Sequence, residues 1–277
     1  MPDAFYGLNA EADPGLLAPL RDDLRFGRIR IGVHRLIAPG ADTAGIRAIL
    51  AAGLRPLVIV RDADQVLALA GVLQGCDVEL WNEPDGTVDG RIEPGNYARL
   101  VPAFAAACRG VEATPWIGAI SNLHTSALAW LHEMLSAASF LAPDATFGIT
   151  AHWYPVGRSR WNAHPGFSSR TDEVDELKAI IGARPWGISE FGFHTASQLR
   201  IRWLPRWGWN AWAWTDQQVA ENIAHEWDFW RAQGAAFACL YQLNDGNQNI
   251  AEHRFGIRRY NEQNPFDWKP SAYTVPV

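Results

Sequence analysis

The chain has 277 residues, 48% of them hydrophobic, with 24 basic against 30 acidic side chains and a net charge of −6. That length suits one large domain with its own core, and the acidic balance argues against nucleic acid as a partner. No apolar run approaches the roughly twenty residues that cross a bilayer, so no membrane association is expected. Met1-Pro2-Asp3 leads almost directly into an apolar stretch. No signal peptide is therefore visible, which leaves the chain cytoplasmic, or secreted with its signal already lost. Cys76, Cys108 and Cys239 are odd in number and far apart, a pattern that predicts buried thiols rather than a disulfide framework or a zinc knuckle.

From the N-terminus the pattern alternates. Strand Ala4–Asn9 precedes helix Pro14–Leu24, strand Arg28–Val33 precedes helix Thr43–Ala52, and strand Arg55–Val60 precedes helix Ala63–Leu73. Then come strand Val78–Trp81, helix Tyr97–Cys108, strand Thr114–Ala119, helix Ser126–Ser139, strand Phe147–Trp153, helix Thr171–Ile181, strand Pro185–Glu190, helix Thr215–Gln233 and strand Ala235–Leu243. Several helices carry an N-terminal Asp, Ser or Thr and a glycine near the end, as with Asp42 and Gly53 or Thr215 and Gly234. Eight strands alternating with seven clear helices predict an α/β fold, a compact single (β/α)8 TIM barrel over residues 1–277. After Lys269-Pro270 there is room for only a turn or two. The longest irregular stretches, Pro155–Arg170 and Phe191–Trp214, follow strands six and seven and are expected to shape a cleft.

Two stretches carry the chemistry. VELWNEPDG runs an apolar strand into Asn82-Glu83-Pro84, where proline removes a ladder donor and biases Glu83 towards extended backbone, so its carboxylate is expected at the carboxyl edge. RPWGISEFGFH does the same with Glu190, about a hundred residues on. A barrel brings two such strand ends to one mouth, and paired carboxylates are what glycosidic-bond cleavage needs. Taken singly, each glutamate is as well explained by a solvated turn; the pairing, together with Asn82, favours chemistry. No GxSxG, HExxH, P-loop or dinucleotide fingerprint is present, and no catalytic metal is expected.

WNEP at a fourth strand and ISEFG at a seventh resemble the signatures of the clan A retaining glycoside hydrolases, the superfamily of cellulases, mannanases, xylosidases and glucuronidases. The resemblance implies a (β/α)8 fold, retention of configuration and no cofactor, with Glu83 as acid/base and Glu190 as nucleophile. It further implies that Asn82 binds a substrate hydroxyl and that His152 and Tyr154 in AHWYP serve the site, with the tyrosine touching the nucleophile. Arg30 in RIRIG would support the nucleophile's charge, and FGIRRYNEQNPFDWKPSAY resembles the segment that closes such barrels. Two departures stand out: CLYQLND offers Tyr241 and Gln242 where the eighth strand usually gives tryptophan, and Arg61-Asp62 follows strand three where histidines are common.

Each assignment has a plainer rival. His152, Tyr154 and Arg30 also suit a role bridging barrel layers, and Trp153 is as well explained by packing as by sugar contact. For Trp207 and its neighbours in the loop after strand seven, stacking on a sugar and packing within the loop are equal expectations. Arg158, Arg160, Arg170, Arg200, Arg202 and Arg206 either bind an anionic glycan through two-pronged contacts or pair with Asp172, Glu173 and Asp175. The expectation is a retaining, endo-acting β-glycosidase with a carbohydrate substrate. Its rivals are a glycan-binding barrel without catalysis, in a surface or virion assembly, and a transglycosylase.

Overall fold

The computed structural model describes residues 2–10, 13–32, 39–86, 90–154, 169–193, 195, 214–245, 255–259 and 266–276. Eight parallel strands close in sequence order: β1 (Tyr6–Asn9), β2 (Arg28–Gly32), β3 (Arg55–Val60), β4 (Asp77–Leu80), β5 (Thr114–Ile120), β6 (Gly148–Trp153), β7 (Trp186–Phe191) and β8 (Ala238–Leu240). Around them run α1 (Pro14–Asp22), α2 (Pro39–Ala51), α3 (Ala63–Ala68), α4 (Ala70–Leu73), α5 (Pro94–Gly110), α6 (Thr125–Leu141), α7 (Ser169–Ile181) and α8 (Asp216–Ala232). A (β/α)8 barrel is therefore what the alternating pattern encodes.

Local chemistry explains most boundaries. Asp13 caps α1 by accepting the Gly15 N–H ahead of Pro14, and Thr215 and Gln218 close a capping box on α8. Gly53 and Gly234 take positive φ just past α2 and α8, where a side chain would be strained. Three expectations need correcting. Asp42 lies inside α2, which starts at Pro39. The helix expected over Ala63–Leu73 breaks at Leu69 into α3 and α4. Strand eight is shorter than Ala235–Leu243, because Ala235 and Ala236 hydrogen-bond to Trp230 and Trp186 as the chain enters the sheet.

Outward-facing strand residues pack on the helices. Trp227 of α8 meets Tyr6, Phe26 and Phe191 edge-on, and Trp230 meets Trp153 and Trp186. Six of the tryptophans among the described residues (Trp116, Trp130, Trp153, Trp186, Trp227 and Trp230) are buried, so packing rather than sugar contact accounts for them.

Inside the barrel, bulk and charge alternate with space. Leu57, Trp116, Phe237 and Cys239 form a small interior cluster. It fits because Gly148 and Gly187 lack side chains; a Cβ on either would run into the Trp116 or Phe237 ring. At the floor, Asp77 accepts from Arg28, from Arg55 at 2.6 and 2.9 Å, and from the Trp116 Nε1–H at 3.0 Å. Burying a charge without such partners would cost several kcal/mol. Among the described residues no helix is long and apolar enough to cross a membrane.

Candidate active site

The mouth of the barrel is built by three departures from regular strand geometry. Just past β4, Trp81 and Glu83 both have positive φ, 67° and 47°. Glu83 is thus not extended, as the following proline led one to expect. Its N–H donates to the Ala119 carbonyl at 3.1 Å, and its carbonyl accepts the Gly86 N–H at 2.9 Å, so two hydrogen bonds hold the bend. Strain of this kind, on the order of 1–3 kcal/mol per residue, persists where the surroundings enforce it.

The second departure is a bulge in β5. Gly118 pairs with Thr150 but Ile120 with Ala151, leaving Ala119 as the extra residue. The Thr150 hydroxyl replaces a ladder partner by accepting the Ala119 N–H at 3.0 Å, and the Ala119 carbonyl turns to Glu83. Below it, the Tyr97 hydroxyl from α5 ties the end of β4 to β5, donating to Leu80 and accepting from Gly118. Asp85, just past Glu83, accepts both the N–H and the hydroxyl of Ser121 at 2.8 Å.

The third departure is a bulge in β7. Ala151 pairs with Ile188 but His152 with Glu190, so Ser189 is the extra residue. Without it Glu190 would share the outward face of Ile188. With it, Glu190 points inward and Phe191 takes its place against Trp227.

These elements bring Glu83, His152 and Glu190 together, with one donor atom of each lying within 4.8 Å of the others. The His152 Nδ1 is 2.9 Å from Glu83 Oε1 and 3.7 Å from Glu190 Oε2. Glu190 accepts the Arg30 Nη1–H on Oε1 and the Tyr154 hydroxyl on Oε2, the latter at 2.5 Å. Arg30 also donates to Asn82 Oδ1 at 2.8 Å and Asn9 Oδ1 at 2.9 Å. Among the described residues this trio alone has donors close enough to hold a cation. The Arg30 guanidinium already supplies positive charge there, and both Glu190 oxygens are taken, so the cluster suits a hydrogen-bonded pair of carboxylates rather than a metal.

Electrostatics separates the groups. Burial works against ionised Glu190, but positive charge on His152 and Arg30 and the hydrogen bonds from Tyr154 and Arg30 outweigh it and hold its pKa below the ordinary value of 4.5. Burial likewise opposes charged His152, yet the Glu190 and Glu83 carboxylates win and raise it. Tyr154 is pushed far up, by burial first and by Glu190 second, so it stays a hydrogen-bond donor.

No protein-family model matches the chain, and no curated protein sequence matches it. Solved structures do. One is a glycoside hydrolase family 17 β-1,3-glucanosyltransferase from Rhizomucor miehei, with TM-score 0.64, 13% identity and 98% of each chain covered. Another is a GH128 (subgroup II) endo-β-1,3-glucanase from Sorangium cellulosum, with TM-score 0.61, 14% identity and 97% of each chain covered. A third is the catalytic domain of a mannanase from Streptomyces sp. SirexAA-E, with TM-score 0.60, 16% identity, and 97% of this chain and 82% of that one covered.

The fold is shared with glycoside hydrolases. On this barrel, Asn82, Glu83, His152, Tyr154, Glu190 and Arg30 converge at the carboxyl ends of the strands. Tyr241 joins their edge, 6.1 Å from the Tyr154 ring and 5.8 Å from Phe255. Gln242 follows it through a cis peptide and exchanges backbone hydrogen bonds with Phe255 and Ile257. Trp153 does not belong: adjacent to inward His152 it faces outward, 2% exposed, against Phe193 and Trp230. Trp207 and five of the arginines considered for anionic glycans, Arg158, Arg160, Arg200, Arg202 and Arg206, lie outside the described residues, as does the side chain of Arg170. Three contributors escaped the sequence reading: Asn9, Phe255 and Glu79. For Glu79 a signal existed, since DVE on β4 and RIR on β2 place acids and arginines at matching two-residue spacing.

Proposed function

We propose that the chain is one catalytic barrel that hydrolyses β-glycosidic bonds in a poly- or oligosaccharide with retention of configuration. The observation that carries this reading is the approach of Glu83 and Glu190, with oxygens within 4.8 Å. Double displacement uses carboxyl groups about 5–5.5 Å apart, whereas inversion needs roughly 6.5–9.5 Å to seat a water. Glu190, kept ionised by Arg30 and Tyr154, attacks the anomeric carbon while Glu83 delivers a proton to the departing oxygen. Glu83 then takes a proton from the water that cleaves the glycosyl ester. Asn82, held by Arg30, is placed to bind the hydroxyl next to the reacting carbon.

The endo mode and the substrate class are supported by the company the fold keeps: an endo-β-1,3-glucanase and a mannanase. Digestion of a panel of β-1,3-glucans and β-mannans, with chromatography of products, tests this. Release of mixed oligosaccharides is expected, and monosaccharide alone contradicts endo action. A second reading, transfer of the glycosyl group to another sugar, is favoured by the glucanosyltransferase among the similar structures; products longer than the substrate reveal it. A 2-deoxy-2-fluoro glycoside separates both from a barrel that only binds glycan, because only an enzyme forms the adduct.

A further inference from the structure

Glu79 takes no part in the displacement above, yet it is fully buried on β4 beneath the reacting groups. Its Oε2 accepts the Arg30 Nε–H at 2.7 Å and lies 2.5 Å from Nη2. Its Oε1 is buried with no hydrogen-bond partner among the described residues. Asp77, two residues below on the same strand, has both oxygens matched by Arg28, Arg55 and Trp116. A buried carboxylate with one oxygen unmatched costs stability, so the contribution of Glu79 must lie elsewhere.

A guanidinium has five N–H bonds in a fixed plane. Arg30 directs Nε to Glu79, Nη2 to Glu79 and Asn82, and Nη1 to Asn9 and Glu190. None is left over, and the edge that rests on Glu79 sets the rotation of the whole plane. We propose that Glu79 is a positioning residue, holding the Arg30 fork so that Nη1 meets Glu190 and Nη2 meets Asn82. The kinetic consequences rest on the double-displacement reading, but the geometry does not.

The charged or titratable groups around Glu190 and its partners Arg30 and Tyr154 are Glu79 on β4, Glu83 just past β4, His152 on β6, and Cys239 and Tyr241 on and just past β8; β1 offers neutral Asn9. Two substitutions separate position from charge. Glu79→Leu removes the rest for the fork, so Glu190 should titrate higher than in the wild type, and kcat should fall roughly tenfold to a hundredfold with little change in KM. Glu79→Gln keeps an acceptor in place and removes only a like charge, so Glu190 should titrate lower, with most of kcat retained.

The Glu190 titration is read by 13C NMR of carboxyl-labelled glutamate, assigned by the signal missing in Glu190→Gln. Opposite shifts in the two variants support the proposal. An unmoved Glu190 signal in Glu79→Gln, or a loss of kcat in step with the loss of folded protein, overturns it. Should Glu79→Leu fail to fold, Glu79→Asp, which keeps the charge but falls short of Arg30, takes its place: a Glu190 signal that titrates higher supports the proposal and one that stays put overturns it. If the wild type cleaves no glycan on the panel, the functional reading falls while the titration still tests Glu79.

Discussion

At the floor of the barrel Arg28 from β2 meets Asp77 from β4; two residues up the same strands, Arg30 meets Glu79. The floor is sealed: Asp77 is fully buried, its oxygens are all matched, and the backbone around it keeps regular register. The mouth is not. There one arginine serves two carboxylates, Trp81 and Glu83 hold positive φ, and two strands bulge. The same arginine–carboxylate chemistry thus yields a sealed clasp at one level and an open cluster at the next, the one proposed to react, and what separates them is strain, partial exposure and an excess of carboxylate over cation.

That contrast can be broken by mutation. The largest expected effect is at the mouth: Glu190→Gln should lower kcat/KM on the order of 10^4-fold or more, with the urea midpoint little changed. Asp77→Asn should act the other way, lowering unfolding free energy by about 3–5 kcal/mol while folded enzyme keeps its kcat, and a rate loss exceeding the loss of folded protein would blur the two levels. Tyr154→Phe removes a hydrogen bond to charged Glu190, worth roughly 1.5–3 kcal/mol.

For that variant the sign follows from the wild type. In the proposed displacement Glu190 must be ionised to attack, so kcat/KM is expected above its pKa and lost as pH falls through it, at a point lowered from 4.5. Without the hydroxyl the acid limb moves up, and a limb that stays put would remove Tyr154 from the site. The smallest effect is expected for Ser121→Ala, which takes one hydrogen bond from Asp85 beside the Glu83 turn. Thermal unfolding should report a loss of about 1 kcal/mol, with turnover kept.

Much of the fold was legible because barrel strands and helices announce themselves: apolar runs such as RPLVIV, the Pro14 start of α1 and the Thr215 cap of α8 all appear in the structure. Asn82, Glu83 and Glu190 were legible as strand-end residues. Their orientation was not. Strict alternation puts Glu190 on the face of Ile188, towards the helices, and only the unpaired Ser189 turns it inward; nothing local in ISEF marks a bulge. The proline after Glu83 spoke for extended backbone, and a carbonyl from the neighbouring bulge in β5 overrode it. Trp153 was ambiguous because a buried tryptophan and a sugar platform share the same composition signal, and adjacency to His152 decides it by pointing the two opposite ways.

The most direct test of the account is the stereochemistry of the first product. When an activated β-glycoside or β-oligosaccharide substrate of the wild type is followed by 1H NMR, Glu83 and Glu190 acting by double displacement predict that the β-anomer appears first and the α-anomer only later, by mutarotation. Initial release of the α-anomer would contradict the account.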